Sequence, residues 1–238
     1  MLRSTLKVCL LIVISSLFSC HQSHRSNQHN RQLSTSHSEG TQPANSLLFV
    51  ISHHVNDFGR WLQVFKSNDS LRKTYQLSDP EIFRSLTDTL YVMISLQASS
   101  IEKAEAFLYS EAQQAALRAA GVTDTPEINF YEPVFNDDRI ARATDLRFFV
   151  IYKTQDYTAF KNAFDLLEEE RKHDGLALVT IARKRNHPNE IAMAFTAEDF
   201  RAMDRHLSKS SVQQTLEQAK LTSAPEVIIA LKVAHGNF

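Results

Sequence analysis

The chain of 238 residues has only two cysteines, Cys9 and Cys20, and both lie close to its N-terminus. The remainder therefore has no thiol for a disulfide bond, a zinc–cysteine site or a cysteine nucleophile. Glycine and proline are also scarce, at five and six residues, which excludes collagen-like and low-complexity chains. The formal net charge is −1, so the chain has no overall positive field to attract nucleic acid, and we exclude that partner.

The N-terminal segment has the features of a leader. Arg3 and Lys7 precede an apolar run from Val8 to Phe18. This run is shorter than the ~20 residues that span a bilayer, so residues 1–19 are predicted to be a signal peptide. The stretch from Leu17 to Cys20, L-F-S-C, resembles the lipobox of bacterial lipoproteins. The resemblance implies that Cys20 carries lipid and begins the mature chain; the alternative is an ordinary cleaved signal followed by an incidental cysteine.

Residues 20–46 consist mainly of Ser, His, Asn, Gln and Thr, and this composition predicts a disordered tether. Its histidines are irregularly spaced, which favours a solvated segment over a metal site: His21, His24, His29 and His37. His21, rather than Asp, follows Cys20, which resembles lipoproteins sorted to the outer membrane of Gram-negative bacteria. We therefore expect an exported protein that is lipid-anchored at the cell envelope, with the membrane as a partner.

The rest of the chain repeats itself at an interval of about one hundred residues, which indicates a duplicated unit. The pattern D-F-x-x-W-x-x-x-F from Asp57 to Phe65 lies over D-Y-x-x-F-x-x-x-F from Asp156 to Phe164. Farther along, Arg72 lies over Arg171. Because the matches extend along both halves in one order, a shared amphipathic helix alone does not explain them.

Both repeats predict the element order β-α-β-β-α-β, which is that of a ferredoxin-like unit. The expected bounds are 47–135 for the first repeat, 136–145 for a polar connector and 146–238 for the second repeat. Residues 79–80 are expected to interrupt the chain before a strand over 82–86, and one helix is expected from Asp156 to His173. The strands are apolar on both faces, so the face that the helices leave free needs cover, and the other half's sheet is the nearest candidate.

These features are similar to those of the dimeric α+β barrel superfamily, the antibiotic-biosynthesis monooxygenase-like and stress-responsive barrel group. The resemblance is carried by the aromatic pattern from Asp57 to Phe65 with Arg72, the aliphatic strand from Tyr91 to Leu96, K-A-x-A-F-L from Lys103 to Leu108 and A-A-G-V from Ala119 to Val122. It implies an α+β fold in which two tandem ferredoxin-like units close into one barrel within the chain, and hence a monomer. It also implies a ligand site between sheet and helices, in a superfamily that includes haem-dependent enzymes, cofactor-free oxygenases and isomerases.

No catalytic set of that superfamily matches this chain residue by residue. The sequence also has no nucleophile–base–acid set, no phosphate-binding glycine loop and no cluster with metal-ligand spacing. We therefore assign no catalytic residue, no metal ligand and no cofactor, and leave haem and flavin open. The candidate ligand-binding residues are His53, His54, Trp61, Arg72 and Arg171.

Each candidate also has a purely structural explanation. With a one-residue slip in the repeat after the first strand, His53 and His54 correspond to Lys153 and Thr154, and can be surface residues at a sheet edge. Trp61 lies at an inward helical position and can belong to the core. The two arginines can satisfy carbonyls at helix ends or a carboxylate.

The function that the sequence favours is a non-catalytic envelope lipoprotein whose barrel binds a small apolar or mildly anionic molecule, or a partner protein. The alternative is an enzyme of the monooxygenase or haem-handling kind that uses His53 or His54 in the first repeat. The space beneath Trp61 separates the two. A packed space favours a binding protein, whereas an open cavity with His54 and Arg72 pointing into it favours an enzyme.

Overall fold

The computed structural model describes residues 47–236. The predicted signal peptide, the lipidation site Cys20 and the tether lie outside the described residues, as do residues 237–238. Among the helices of the described part, none is both long and apolar enough to cross a membrane.

The elements follow the duplicated order. The first half contains β1 Leu47–His54, α1 Phe58–Ser67, α2 Asp69–Thr74, β2 Leu77–Ser85, β3 Tyr91–Ala98, α3 Ile101–Leu108, α4 Glu111–Ala120 and β4 Glu127–Asn136. Helix α5, Asp138–Ala143, connects the halves. The second half contains β5 Leu146–Lys153, α6 Tyr157–Leu166, α7 Glu168–His173, β6 Ala177–Lys184, β7 His187–Thr196, α8 Ala202–Leu207, α9 Ser210–Glu217 and β8 Glu226–His235.

The eight strands close into a barrel in the order β1-β3-β2-β8-β5-β7-β6-β4. Every neighbouring pair is antiparallel. Strands β1–β4 form one sheet and β5–β8 the other, and the pairs β2–β8 and β4–β6 join them. The predicted fold class, two tandem ferredoxin-like units that form one α+β barrel within the chain, is confirmed.

The helices cover the outside of the barrel, each set over the sheet of its own half. Asp57 begins α1 because its carboxylate accepts a hydrogen bond from the Arg60 N–H at 2.8 Å, and Asp156 begins α6 in the same way. Trp61 of α1 and Phe160 of α6 are both buried against their sheets. The aromatic pattern that reveals the repeat is therefore a packing pattern.

The predicted helix from Asp156 to His173 is two helices, because the chain breaks at Leu167 between α6 and α7. The backbone tightens there, since the Leu167 N–H donates to the Phe164 carbonyl three residues back. The buried guanidinium of Arg171 donates to that same carbonyl. The first half breaks at the equivalent place, between α1 and α2, so the break belongs to the fold.

Pro80 lies inside β2 and does not interrupt the chain before it. The pairing of β2 with β3 shifts register between Ser78 and Glu81, and Asp79 has a φ of 49°. Such a bulge accommodates proline because the bulged residue donates no ladder hydrogen bond. β2 therefore starts at Leu77, five residues earlier than expected.

The halves align at one constant offset, so the predicted slip is wrong. β1 and β5 are 99 residues apart, and so are α1 and α6. His53 therefore corresponds to Tyr152, and His54 corresponds to Lys153. A slip of one residue would exchange the two faces of a strand. His53 and Tyr152 instead share the face towards the helices, where His53 contacts Trp61 with ring centroids 5.8 Å apart.

The strands of the barrel are strongly staggered. A path of paired residues that starts at Ser52 on β1 and passes through β3, β2 and β8 reaches Asp145, just before β5. The residue of β5 that corresponds to Ser52 is Ile151, so the path ends six residues before it. The corresponding path through the second half also shifts the register by six residues. One complete turn around the eight strands therefore shifts the register by twelve residues. At a fixed number of strands, a larger stagger tilts the strands and widens the barrel. Eight-stranded barrels with a stagger of about eight are filled by side chains; this one is wider.

Candidate functional site

The space between the first sheet and its helices is almost filled. Trp61 is 2% exposed and stacks between Phe58 and Phe65, with ring centroids 5.8 and 5.4 Å away. The cavity that remains beneath it measures about 40 Å³ and is lined in part by His53 and Arg72. That volume accepts water, whereas sites for drug-sized ligands measure roughly 300–1,000 Å³.

Arg72 and Arg171 occupy equivalent buried positions, and each serves the helix break of its own half. Arg72 donates to the Phe65 carbonyl at 2.7 Å, and its guanidinium lies 3.9 Å from the centre of the Phe65 ring. Arg171 donates to the Phe164 carbonyl and lies 3.5 Å from that ring. Asp69 completes the contacts of Arg72 at 3.3 Å. The space beside Arg171 measures only about 10 Å³.

His53 points into the small cavity beneath Trp61 and is 2% exposed. Within residues 47–236, neither of its ring nitrogens has a hydrogen-bond partner, and neither does Nε of Arg72. Burial lowers the pKa of His53 to about 4, so the ring is neutral at neutral pH. Buried polar atoms without partners are uncommon, and water in this cavity would satisfy these three.

His54 lies on the opposite face of β1 and does not point into that cavity. Its Nδ1 is 2.7 Å from a carboxylate oxygen of Asp124, and its Nε2 is 3.0 Å from one of Asp88. The hydrogen bond to Asp124 is the main cause of a raised pKa. The structure thus brings His53, Trp61 and Arg72 together but leaves His54 and Arg171 elsewhere. The arrangement expected of an enzyme, an open cavity with His54 and Arg72 pointing in, is not formed.

A much larger cavity, of about 410 Å³, lies inside the barrel. All eight strands contribute to this lumen, and on six of them the residues that line it alternate, as the pleat requires. On β6 and β7 some adjacent residues line it as well. Its middle is apolar, with Val50, Phe83, Met93, Phe149 and Ile228 among the lining residues. Phe83 and Phe149 meet edge to face across the two halves, with ring centroids 4.9 Å apart. The volume lies in the usual range for small-molecule sites.

The lumen mouth is the end of the barrel where β1 and β5 finish and β4 and β8 begin. It is lined by Tyr91, Glu127, Lys153, Lys184, Glu190 and Glu226. Lys184 and Glu190 form an ion pair at 2.8 Å. Glu127 accepts a hydrogen bond from the side chain of Asn129, also at 2.8 Å. The buried phenol of Tyr131 lies further in along β4. Burial, assisted by Glu190 and Glu127, raises its pKa, so it stays protonated.

The opposite end, the lumen floor, is closed by Arg147 and helix α5. Arg147 is 2% exposed and donates to the carbonyls of Thr144 at 2.5 Å, Leu146 at 2.9 Å and Ala141. Lys232 donates to the Ala141 carbonyl at 2.7 Å. These cations therefore satisfy the free carbonyls at the C-terminal end of α5. The lumen has a covered floor and a polar mouth.

None of the lumen residues is among the candidates that the sequence suggests. One signal was available: the pattern E-x-N-x-Y from Glu127 to Tyr131 alternates polar side chains along a strand otherwise marked by Ile128 and Phe130. Glu226 begins the equivalent strand, 99 residues later. Only closure of the barrel brings these carboxylates to the same opening.

No protein-family model and no curated protein matches the chain. Solved structures do. A candidate monooxygenase from Fusobacterium nucleatum subsp. nucleatum ATCC 25586 is similar at a TM-score of 0.54 and 11% identity, over 82% of this chain and 96% of that one. A candidate monooxygenase from Lactobacillus acidophilus NCFM is similar at 0.52 and 10%, over 81% and 96%. A candidate chlorite dismutase is similar at 0.51 and 16%, over 79% and 95%.

At these identities the similarity shows the fold alone. The chain has the fold of a dimeric-type α+β barrel, with both units of the barrel in one polypeptide. The similarity carries no residue of a catalytic site to this chain, because activity depends on the side chains that a fold holds.

Proposed function

We propose that this protein binds a small, mainly apolar molecule in the lumen of its barrel and does not transform it. The observation that carries the proposal is the distribution of free space. The lumen cavity measures about 410 Å³, against about 40 and 10 Å³ in the two spaces between sheets and helices. Only the first volume suits a small-molecule ligand.

The polar groups of the lumen favour binding over catalysis. Lys184 is paired with Glu190, and Glu127 is held by Asn129, so these groups already have partners. The phenol of Tyr131, with its raised pKa, is a hydrogen-bond donor at neutral pH and a poor base. A ligand would be oriented by these groups while the apolar middle takes up most of its surface.

The alternative function, an enzyme of the monooxygenase or haem-handling kind, has the fold of its structural neighbours in its favour. The histidines of the chain that lie beside cavities decide whether haem could be held. His53 faces a space of about 40 Å³, and His206, beside the second space, already has its Nδ1 2.8 Å from Asp174. No described residue that lines the lumen is a histidine. These histidines therefore do not fit haem.

The proposal is tested by native mass spectrometry, with an absorbance spectrum, of the full chain purified from its producing cells without refolding. We expect a co-purifying small molecule that is lost when Ala192→Trp fills the lumen. The matched control is Ala116→Leu, which fills the cavity beneath Trp61 and should leave the ligand in place. Loss in the control but not in the lumen variant, or a haem band, would overturn the proposal.

We also propose that the barrel is anchored to the outer membrane through a lipid on Cys20, with residues 20–46 as the tether. The lipobox-like sequence supports this, because an acylated cysteine holds a protein at a membrane without a spanning helix. Metabolic labelling with a fatty-acid analogue should mark the wild-type chain and not Cys20→Ala. Equal labelling of the Cys20→Ala chain would contradict the anchor.

A further inference from the structure

The charges at the lumen mouth do not cancel. Three carboxylates, those of Glu127, Glu190 and Glu226, line it together with two lysines. One of the lysines, Lys184, forms an ion pair with Glu190. Among residues 47–236, no lysine, arginine or histidine forms an ion pair with Glu127 or Glu226. Lys153, the remaining cation, is exposed, and so are Glu127 and Glu226, so water screens all three charges. The three carboxylates and two lysines still sum to a net charge of −1. The mouth therefore presents a net negative potential to a ligand that enters.

Glu127 and Glu226, the two carboxylates without an ion pair, lie on strands from different halves, yet both line the lumen together with Tyr91. Burial raises the pKa of the Tyr91 hydroxyl, and both Glu127 and Glu226 raise it further. Tyr91 is half-buried and lines the lumen beside them. On β4, Glu127 is also held towards the lumen by the side-chain amide of Asn129. Tyr91, Glu127 and Glu226 thus line the same opening.

Aromatic rings backed by carboxylates recognise cations, because the ring face and the carboxylates both attract positive charge. Tyr91, whose ring centroid lies 5.1 Å from that of His54, supplies such a ring at the mouth, and Tyr131 supplies a second one further in. At the lumen floor the charges already have partners, since Arg147 is bound to backbone carbonyls and the carboxylate of Glu81 lies 3.7 Å from the ammonium group of Lys232. A ligand's apolar end would therefore lie towards the middle of the lumen and its polar end at the mouth.

We infer that the ligand class is an amphipathic cation: an apolar body in the lumen and an amine or quaternary ammonium group between Tyr91, Glu127 and Glu226. This rests on the proposed function, because it specifies the ligand of the same lumen. It also reverses the sign expected from the sequence, which favours an apolar or mildly anionic molecule.

The test uses three probes with one alkyl chain: hexyltrimethylammonium, 1-hexanol and hexanoate. Each is titrated by calorimetry into the full chain carrying Cys20→Ala, which lacks the proposed lipidation site. We expect the cation to bind about tenfold more tightly than the alcohol, and the anion to bind most weakly. Combined Glu127→Gln and Glu226→Gln substitutions should abolish this preference.

Two further variants complete the test: one removes the remaining lysine of the lumen mouth, and the other is a control outside the lumen. Lys153→Gln should increase the preference for the cation, whereas an anionic ligand class would require that it weaken binding. Glu132→Gln removes a carboxylate from the outward face of β4 and should change nothing. A preference for hexanoate, or a cation preference that survives the double substitution, would overturn the inference.

The outcomes for 1-hexanol separate the proposal that the lumen is a binding site from the inference that its ligand is a cation. If 1-hexanol binds and Ala192→Trp prevents it, the lumen is a binding site whether or not the cation is preferred. If no probe binds, the lumen proposal fails together with the ligand class. Ala182→Phe serves as a second filled-lumen variant should Ala192→Trp not fold, and far-ultraviolet circular dichroism checks each variant.

Discussion

His53 and His54 are adjacent in β1, yet their side chains lie on opposite faces of the sheet and their pKa values shift in opposite directions. Burial beneath Trp61 lowers the pKa of His53, and the carboxylates of Asp124 and Asp88 raise that of His54. Residue type alone gives no hint of this difference. It follows from the strand pleat, which sends neighbours into different surroundings.

His53 should destabilise the fold in acid. Its folded pKa of about 4 lies below the unfolded value of 6.5, so between these pH values the unfolded chain binds more protons. The free energy of unfolding therefore falls as the pH is lowered from 6.5 towards 4, by up to about 3 kcal/mol. We expect His53→Phe to lose this part of the pH dependence, measured by urea unfolding at pH 7 and pH 4.5. An unchanged pH dependence would contradict the assignment.

His54 should act with the opposite sign. Because its folded pKa is raised above 6.5, its contribution to stability is present below pH 6.5 and is lost as the pH rises through the folded pKa. His54→Gln should therefore cost more stability at pH 6 than at pH 9. The effect is small because the ring is well exposed. Nuclear magnetic resonance titration of the two rings gives a direct check; a His54 pKa below 6.5 would refute it.

At the scale of the elements, the ends of helices depend on a few backbone positions. Gly121 ends α4 with a φ of 76°, and Gly175 follows α7 with a φ of 77°. Glycine is the residue most often found just past the C-terminus of a helix, because it adopts a positive φ without a Cβ penalty. The surroundings of the two glycines differ: a Cβ on Gly121 would overlap the side-chain amide of Asn56, whereas a Cβ on Gly175 would meet nothing within 4 Å.

The two glycines form a matched pair for mutagenesis. Gly175→Ala should cost about 1 kcal/mol, the penalty for a left-handed residue with a side chain. Gly121→Ala should cost at least about twice that, because Asn56 must also move. Urea midpoints of the two variants measure the difference. Equal losses of stability would show that the close contact between Gly121, at the end of α4, and the side chain of Asn56 does not constrain the fold.

The elements also show where sequence reasoning succeeds. Asp57 and Asp156 as helix caps, and Trp61 and Phe160 as core residues, follow from local spacing, and the structure contains both features. The helix break at Leu167 does not follow, because Arg171 stabilises it from four residues away, and the helical apolar pattern continues through it. Propensity and periodicity report on segments and not on such side-chain contacts.

At the scale of the whole molecule, closure of the barrel predicts the oligomeric state. The seams β2–β8 and β4–β6 take within one chain the place of contacts between two chains. No strand of the described barrel is left with a free edge, so the sheet offers nothing for a second copy to extend. We expect a monomer of about 27 kDa by light scattering of the Cys20→Ala chain. A mass twice as large would contradict this.

The barrel could be predicted from the repeat and from strands that are apolar on both faces, but its lumen could not. Apolar residues on both faces suggest two packed sheets. The register stagger of twelve residues, which widens the barrel, depends on pairings between β2 and β8 and between β4 and β6, and these join residues far apart in the sequence. For that reason the residues suggested by the sequence lie around the space beneath Trp61, whereas the large cavity of the structure is the lumen.

The most direct test of this account is a crystal structure of the protein purified from its producing cells without refolding. We predict electron density for a small molecule inside the lumen, with its polar end near Tyr91, Glu127 and Glu226. We also predict only water beneath Trp61. A lumen that holds nothing but side chains and solvent, with a ligand between α1 and the first sheet instead, would contradict the account.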